Sequence, residues 1–522
     1  SKGFSLAVAV PGEQGPPLPS AILIAHQAGD LEPSLSAIVK QATEGQATWN
    51  TRDVQGRSVT STLIPLGNGP EIELAWWAEG THLVVAAGFD PVGMTLAVAE
   101  GESENITTNP LWKKYRDGQQ EFEVAGMTWI DLGAVRRIAG SFPIGGQSGP
   151  GEDADREPRQ ITVNDALQAV GFDQVGAIVG RTGYKGRATW STTTFEAPAP
   201  RSGLLALADQ QPITFDDLPP LPFGTNGFYA CSVDWSKSYG TVLEVVKEAV
   251  KLGPPEQAAQ VEQMIAAIPD IIGFDPKSEL FDGLGNVICL YGDTRQGPLG
   301  IGVGLAIEVK DPELVRRTLD EQLGQIVEQA DPKDVALHRA NKHGRDIVTL
   351  EIAGGLFNPS FVVDEEWMVI GLMPQTCEAF LLRVDGELTT WEPTATYREA
   401  LDELPKEYVS ICASDPRKTY RTLVGLAPII LPLIKLGLRE SNIPQLEDLD
   451  VPVHLSDLPP AEIVGKKLFP NVSVCTVDDQ GIHCTSRISL PAIPLLGNAN
   501  GATGLAVAGV GVALLLPAIQ QA

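Results

Sequence analysis

The chain has 522 residues, 43% hydrophobic and 20% charged, and its 38 basic against 66 acidic residues give a formal net charge of −28. That length exceeds one ordinary core and predicts two or three domains, while the composition excludes wholesale disorder. The acidic excess repels phosphate backbones and anionic lipid, which argues against nucleic-acid binding.

The chain opens on Ser1-Lys2-Gly3-Phe4 and soon reaches ILIAHQAGDLEPSLSAIVKQ (22–41), which reads as an apolar strand, a corner at Asp30 and an amphipathic helix. A tight turn at Gly56-Arg57 follows. The stretch EGTHLVVAAGFDPVGMTLAVAEGESENITTNPLWKKY (79–115) predicts an acidic turn, a buried strand, a Pro-started helix, a G-E turn and a second segment ending in Tyr115. Asp131 marks another strand-to-helix corner. IGGQSGPGEDADREPRQ (144–160) has no apolar anchor and reads as an exposed loop. Alternating strands around Gly183 then lead into Pro-rich stretches near 195–222, where a boundary is expected.

Beyond it, FDDLPPLPFGTNGFYACSVDWSKSYGTVLEVVKEAVKLGPP predicts a strand, an Asp234 N-cap, an amphipathic helix and a Gly-Pro-Pro stop. A helix over 256–267 and another strand are expected next. From Asp282-Gly283-Leu284-Gly285 onward the earlier succession recurs. GLAIEVKDPELVRRTLDEQL (304–323) parallels 22–41, Gly344-Arg345 parallels Gly56-Arg57, and the segment from Asp364 to Tyr397 parallels 79–115. Asp415 parallels Asp131, and a hairpin over Cys475–Cys484 parallels the strands around Gly183. The offsets stay between 281 (Asp30 to Asp311) and 288 (Gly56 to Gly344).

Collinear resemblance over so many elements predicts a tandem duplication. The expected fold class is α+β (mixed α/β): two homologous repeats of mostly antiparallel or mixed sheet, helices packed on one face, and a C-terminal apolar helix. The repeats are placed at 1–212 and 213–492, with an uncharged segment at 493–522. The first copy lacks a front of about 66 residues, the distance from Asp216 to Asp282. A start without Met inside a repeat predicts a chain that begins within a longer polypeptide. A repeat without its front strand leaves an open edge suited to strand addition.

Residues that carry chemistry do not converge. Asp30, Asp131, Asp234, Asp311 and Asp415 sit at strand-to-helix corners, where a carboxylate accepts from first-turn N–H groups and faces the positive dipole end. His338 and His343, five apart in HRANKH, would point about 140° apart on a helix, unsuited to sharing a metal. His82 stands where the second copy has Trp367, which suits packing. GGQSGPG around Ser148 has Pro150 where a nucleophile elbow needs glycine. The glycines of GIGVGLA (300–306) fall along a strand. GEDAD (151–155) reads as a solvated loop before a weak calcium loop. The expectation is a protein without enzymatic activity, cofactor or metal.

All six cysteines lie after residue 230 and no CxxC pair occurs, which removes the usual zinc and thioredoxin patterns. In NVSVCTVDDQGIHCTSRI, two alternating runs flank a loop at Asp478–Gly481. Pairing Val477 with Ile482 sets Cys475 opposite Cys484, so a cross-strand disulfide and two reduced, half-buried cysteines both remain open.

No charged residue follows Arg487. The segment 502–519 is long enough for membrane contact, but three glycines and Pro517 weaken it as a spanning helix. Its small residues Gly504, Ala508, Gly509 and Ala513 allow close backbone approach, and Leu514, Leu515, Leu516 and Pro517 complete an apolar face that neighbouring copies would cover. The run GVALLLPAIQQA resembles the apolar segment of pilin-like proteins of planctomycete-type bacteria, in which a basic, Arg-rich stretch follows. The duplicated region resembles a family of uncharacterised exported bacterial proteins marked by a D-x-x-W strand and a Pro-started helix. The second copy carries that mark from Asp364-Glu365-Glu366-Trp367 to Pro374, whereas the first has His82 in place of the Trp. The resemblance implies an exported cell-surface or extracellular protein, and a chain that continues past Ala522. The expected function is a structural subunit of a fibre-like assembly whose partners are copies of itself. A membrane-tethered binding module and a hydrolase are the competing readings.

Overall fold

The computed structural model describes residues 3–9, 20–42, 47–65, 71–116, 121–140, 161–253, 255–293, 302–329, 335–352, 358–422 and 459–489, with a few single positions between these ranges. The chain divides into two compact units, residues 1–118 with 134–142 and residues 119–133 with 143–522.

The first unit runs β1 (Phe4–Ala9), β2 (Ser20–Ala25), α1 (Glu32–Ala42), β3 (Asn50–Val54), β4 (Arg57–Pro65), β5 (Glu71–Glu79), β6 (His82–Gly88), α2 (Pro91–Ala99) and α3 (Pro110–Arg116). Its six strands are antiparallel in the order β1-β2-β6-β5-β4-β3. Gln55 (φ 52°) and Gly56 (φ 79°) are both left-handed, as a two-residue turn matching the strand twist requires. Trp76 and Trp77, adjacent on β5, are both buried and face opposite sides of the sheet. Trp77 joins Ile22, Val59, Val84 and Ala86 beneath Val92 and Leu96 of α2. On the other side, Trp76 Nε1 donates to Ser36 Oγ of α1 at 2.8 Å.

The second unit begins with β7 (Glu123–Asp131); the helix that follows, α4 (Leu132–Ala139), belongs from Ala134 on to the first unit. Then come α5 (Val163–Ala169), β8 (Ala177–Lys185), β9 (Ala188–Glu196), β10 (Thr225–Ser232), α6 (Trp235–Val250), α7 (Pro255–Ala266), α8 (Ile268–Ile272) and α9 (Pro276–Glu279). They are followed by β11 (Leu284–Asp293), β12 (Val303–Val309), α10 (Pro312–Gln329), β13 (Val335–Lys342), β14 (Arg345–Ile352), β15 (Ser360–Val363) and β16 (Trp367–Gly371). The last described elements are α11 (Pro374–Val384), α12 (Ala395–Asp402), β17 (Ser410–Ser414), α13 (Ala461–Gly465), β18 (Asn471–Val477) and β19 (Gly481–Ile488). Thirteen strands form one sheet, in the order β13-β14-β15-β16-β12-β11-β10-β17-β18-β19-β9-β8-β7.

One row of side chains explains how this sheet is held. Val362, Val369, Ala306, Cys289, Ala230, Ile411 and Val474 lie opposite one another across seven strands, each 0 or 1% exposed. Cys377, Phe380 and Leu381 of α11 and Tyr397 and Ala400 of α12 close over that face. The neighbouring residues Ile307, Met368 and Val363 point the other way and pack with Val315 of α10 and Trp235 of α6.

The expectation of helices on one face is therefore corrected: both faces carry them. The reason is visible in β12 and β16, where Ala306-Ile307 and Met368-Val369 are apolar at consecutive positions, so both sides of the strand need cover. A second correction concerns the strand expected after residue 267. Pro269 near the start of α8, left-handed Gly273 at its end and Asp275 capping α9 make this stretch two short helices instead. The expected boundary between residues 212 and 213 falls inside the second unit, since β9, before it, pairs residue by residue with β19, after it.

Among the described residues, no helix is long and apolar enough to cross a membrane. The C-terminal residues Gly504, Ala508, Gly509, Ala513, Leu514, Leu515, Leu516 and Pro517, with the rest of 493–522, lie outside the described residues. So do Ser148 and the 151–155 loop.

Candidate functional site

Among the described residues, four strands end the two sheets: β1 and β3 in one, β13 and β7 in the other. A terminal strand presents unpaired backbone N–H and C=O groups, and proteins blunt such edges with charge or bulges. β3 carries Arg52, which pairs with Glu73 at 2.8 Å, and Asp53. β13 carries His338, Arg339 and Lys342, paired with Glu351, Asp320 and Glu378 at 2.8, 2.9 and 3.2 Å. β7 has a register shift between Val124 and Gly126 and acids at its ends. β1, FSLAVA, has neither charge nor bulge. Phe4, Leu6 and Val8, two apart and hence on one face, are 63, 58 and 64% exposed.

In the other sheet, β11 follows β10 through the register Phe228↔Tyr291, Ala230↔Cys289 and Ser232↔Val287. The second flank of β10 is taken by β17, with Tyr229↔Cys412. A strand ordered like β1, beside its own neighbours, is thus central in one sheet and terminal in the other.

A cleft of about 530 Å³ lies in the second unit, lined by Asp216, Asp217, Asn286, Glu308, Glu366 and Trp367 among others. Glu308 is already committed: its Oε2 accepts from the backbone N–H of Asn286 at 2.7 Å and Val287 at 3.1 Å, where β11 shifts register. The carboxylate there satisfies strand amides that the irregular pairing leaves over. Among the described residues, no group of three or more His, Cys, Asp or Glu is placed to hold a metal ion.

Two ion clusters escaped sequence reasoning. Arg57 donates to both oxygens of Glu79, at 2.6 and 3.0 Å, and to Glu100 at 2.7 Å. Arg345 donates to Asp364 at 2.9 Å and to both oxygens of Asp385, at 2.8 and 2.9 Å. Each arginine follows a turn with two left-handed residues, and each also reaches a turn carbonyl, Gln55 O or His343 O. Each second acid stands at the C-terminal end of a helix, α2 or α11. Glu79 and then Glu100 push the Arg57 guanidinium above its ordinary value, Asp385 and then Asp364 do so for Arg345, and Arg57 holds the Glu79 carboxyl down. The acids lie 22 and 43 residues from Arg57, too far apart for a local pattern. The recurring Gly-Arg turn, Gly56-Arg57 and Gly344-Arg345, was the available signal.

The predicted residues fall as follows. Cys475 and Cys484 lie opposite each other in the β18–β19 hairpin and are joined by a disulfide, with Cα atoms 4.1 Å apart. Cys231, Cys289, Cys377 and Cys412 are free. Burial pushes the thiols of Cys231 and Cys377 up to about 11 and about 12, and those of Cys289 and Cys412 the same way, so they stay protonated and unreactive at neutral pH. Asp234, Asp311 and Asp415 accept from the backbone N–H of Lys237, Leu314 and Arg417, while Asp30 sits in a 3₁₀ turn before α1. His338 and His343 are not helical; they occupy β13 and the following turn, His343 with φ 53°. His82 packs edge-on against His26, with ring centroids 5.1 Å apart. Comparison with known proteins yields no match to a family model, a curated protein or a solved structure.

Proposed function

We propose that this chain is a non-enzymatic structural subunit, built of two tandem repeats, that associates with copies of itself in an extracellular or cell-surface assembly. The uncharged edge of β1, with Phe4, Leu6 and Val8 exposed beside an otherwise acidic surface, carries the reading. An exposed, uncharged terminal strand is a pairing surface unless it is blunted, and the other three terminal strands are blunted. The uncharged segment 493–522 supplies a second associating element, and contacts of this head-to-tail kind propagate without closing.

The repeat reading draws support from two runs of elements. The strands β1-β2-β6-β5-β4-β3 and β11-β12-β16-β15-β14-β13 follow one order, with a helix after the second strand and another after the sixth in each. The paired arginine clusters occupy the same turns. Export to the cell surface rests on the resemblance of the tail and of the Asp364–Pro374 stretch.

Electron microscopy and sedimentation of the purified protein at micromolar concentration test the assembly. Extended particles that disperse when residues 500–522 are deleted are the expected result. Discrete monomers, unchanged by the deletion, would overturn the proposal.

A further inference from the structure

We infer that the end of the large sheet where β10 begins and β11 and β17 finish is a binding site for a small, doubly charged tetrahedral oxyanion, phosphate or a phosphate monoester, held by Arg295, Arg417 and Lys418. The inference is independent of the assembly reading and concerns the second unit alone. Three consecutive residues, Gly224, Thr225 and Asn226, form the floor. Lys418 Nζ donates to Thr225 O at 2.7 Å, and the backbone N–H of Asp415 donates to Asn226 O at 2.7 Å. Gly224 lies beneath Arg295: a Cβ placed on it would collide with Asp293 Oδ1 and come within 2.7 Å of Arg295 Nε. Arg295 is itself seated over the Phe223 ring, 5.4 Å from its centroid. Lys418 and Arg295 thus flank the same short stretch of chain, which spans about 10 Å at most.

Charge is unbalanced at this end of the sheet. Arg417 Nε and Nη2 donate to the two oxygens of Asp415, at 2.8 Å each. Asp293, which is buried, is left to face three cations: Arg295 at 3.6 Å, Lys418, and Arg383 from α11. Four cations against Asp293 and Asp415 leave a local excess of two positive charges, in a chain whose net charge is −28. Arg383 is the second observation. It is 4% exposed and donates to Pro220 O at 2.8 Å and to Tyr291 Oη at 3.4 Å, yet among the described residues it pairs with no carboxylate. A buried guanidinium without a counter-ion is costly. Burial pulls Arg383 below its ordinary value, with Tyr291 and Asp293 opposing. Burial also holds the Lys418 ammonium down, with Arg417 and Arg295 acting the same way against Asp415 and Asp293. A bound dianion cancels the excess and relieves both.

Donors for such a ligand stand ready. Among the described residues the Arg295 guanidinium donates no hydrogen bond, and its side chain is 54% exposed. Arg417 keeps Nη1, and Lys418 keeps the hydrogens not given to Thr225. An arginine fork matches the spacing of phosphate oxygens, and a lysine adds a point charge. A single carboxylate would cancel only half of the excess. The acidic bulk of the chain repels long polyanions, whereas a small ion within a Debye length of the site meets mainly the local field.

Calorimetric titration of the full chain at neutral pH and constant ionic strength tests the site, with inorganic phosphate and O-phosphoserine as probes and glutamate as control. Saturable binding of phosphate at one site is expected, at least about tenfold tighter than glutamate. Arg295→Gln and Lys418→Gln should each weaken it about tenfold. Lys251→Gln, which alters an exposed lysine after α6, should leave it unchanged. Urea midpoints check that the variants are folded, and Arg295, being exposed, keeps the test valid should Lys418→Gln loosen the strand end. Phosphoserine binding at least as tightly as phosphate assigns the site to a monoester, and binding of phosphate alone assigns it to the free anion; either sustains the inference. Heats that match those of glutamate overturn it, since they report screening alone. Phosphate binding that survives both substitutions also overturns it, since the anion is then adventitious and lies elsewhere on the chain.

Discussion

Six strands of the first unit and six of the second are laid out in one order, yet β1 ends its sheet and β11 does not. The difference is a single strand. With β10 in place, Val287, Cys289 and Tyr291 of β11 are buried. Without a counterpart, Ser5 and Ala7 of β1, which pair with Ile24 and Ile22 on the matching side under α2, are exposed, as are Phe4, Leu6 and Val8 on the other side. The comparison teaches that the apolar character of a strand says it will be covered without saying by which chain. It also separates what makes the sheet stable, the shared core under α2 or α11, from what leaves it open to association.

The largest effect should come from the closed side. Phe380→Ala removes a fully buried ring of α11 from the core beneath it, at a cost of about 3–5 kcal/mol. Urea unfolding with amide exchange should show the loss in β12 and β16. A cost under about 1 kcal/mol would mean that the row through Ala306 and Val369 is not the core of this sheet. The double variant C475S/C484S should follow, at about 2–3 kcal/mol for opening a loop of separation 9. Its unfolding midpoint should match that of the reduced parent; a large difference would show that the serines do more than remove the bond.

The next experiment compares the two ion clusters. Asp364 has a side chain only 5% exposed, against 36% for Glu79. Arg345→Met strands the buried carboxylate of Asp364 and should cost about 1–3 kcal/mol, whereas Arg57→Met leaves Glu79 able to recover water and should cost less. Equal losses in denaturant midpoint would show that burial does not decide the strength of the cluster.

These contrasts also mark what was legible in the sequence. The hairpin register that sets Cys475 against Cys484 followed from two alternating runs and a four-residue loop, because turn length fixes pairing when both strands are short. The Pro-started helices α2 and α11 followed from apolar runs ending at Asp90-Pro91 and Met373-Pro374. HRANKH gave no strand signal because an edge strand exposed on both faces has no apolar alternation to display, and β13 is such a strand. The joining of β9 to β19 was invisible for another reason. Pairings such as Cys484↔Thr193 link residues far apart in the chain, and nothing local encodes them. The openness of β1 was legible only by comparing its segment with the one that starts at Asp282, since nothing in FSLAVA alone marks an edge.

The smallest predicted effect follows the acid limb of stability. Arg57 holds the Glu79 carboxyl below its ordinary value of about 4.5, so the folded state keeps this group ionised where the unfolded chain would protonate it. The contribution is therefore fully present above the ordinary value and fades as the pH falls through the lower folded one. It must be small, because the pair is partly exposed and screened by solvent. Glu79→Gln should flatten that part of the stability curve and leave neutral pH nearly unchanged. A carboxyl titration followed by NMR decides the cause. In Arg57→Met, Glu79 should return toward its ordinary value, and an unmoved titration would transfer the credit to Trp77, whose Nε1 donates to the same carboxylate at 3.0 Å.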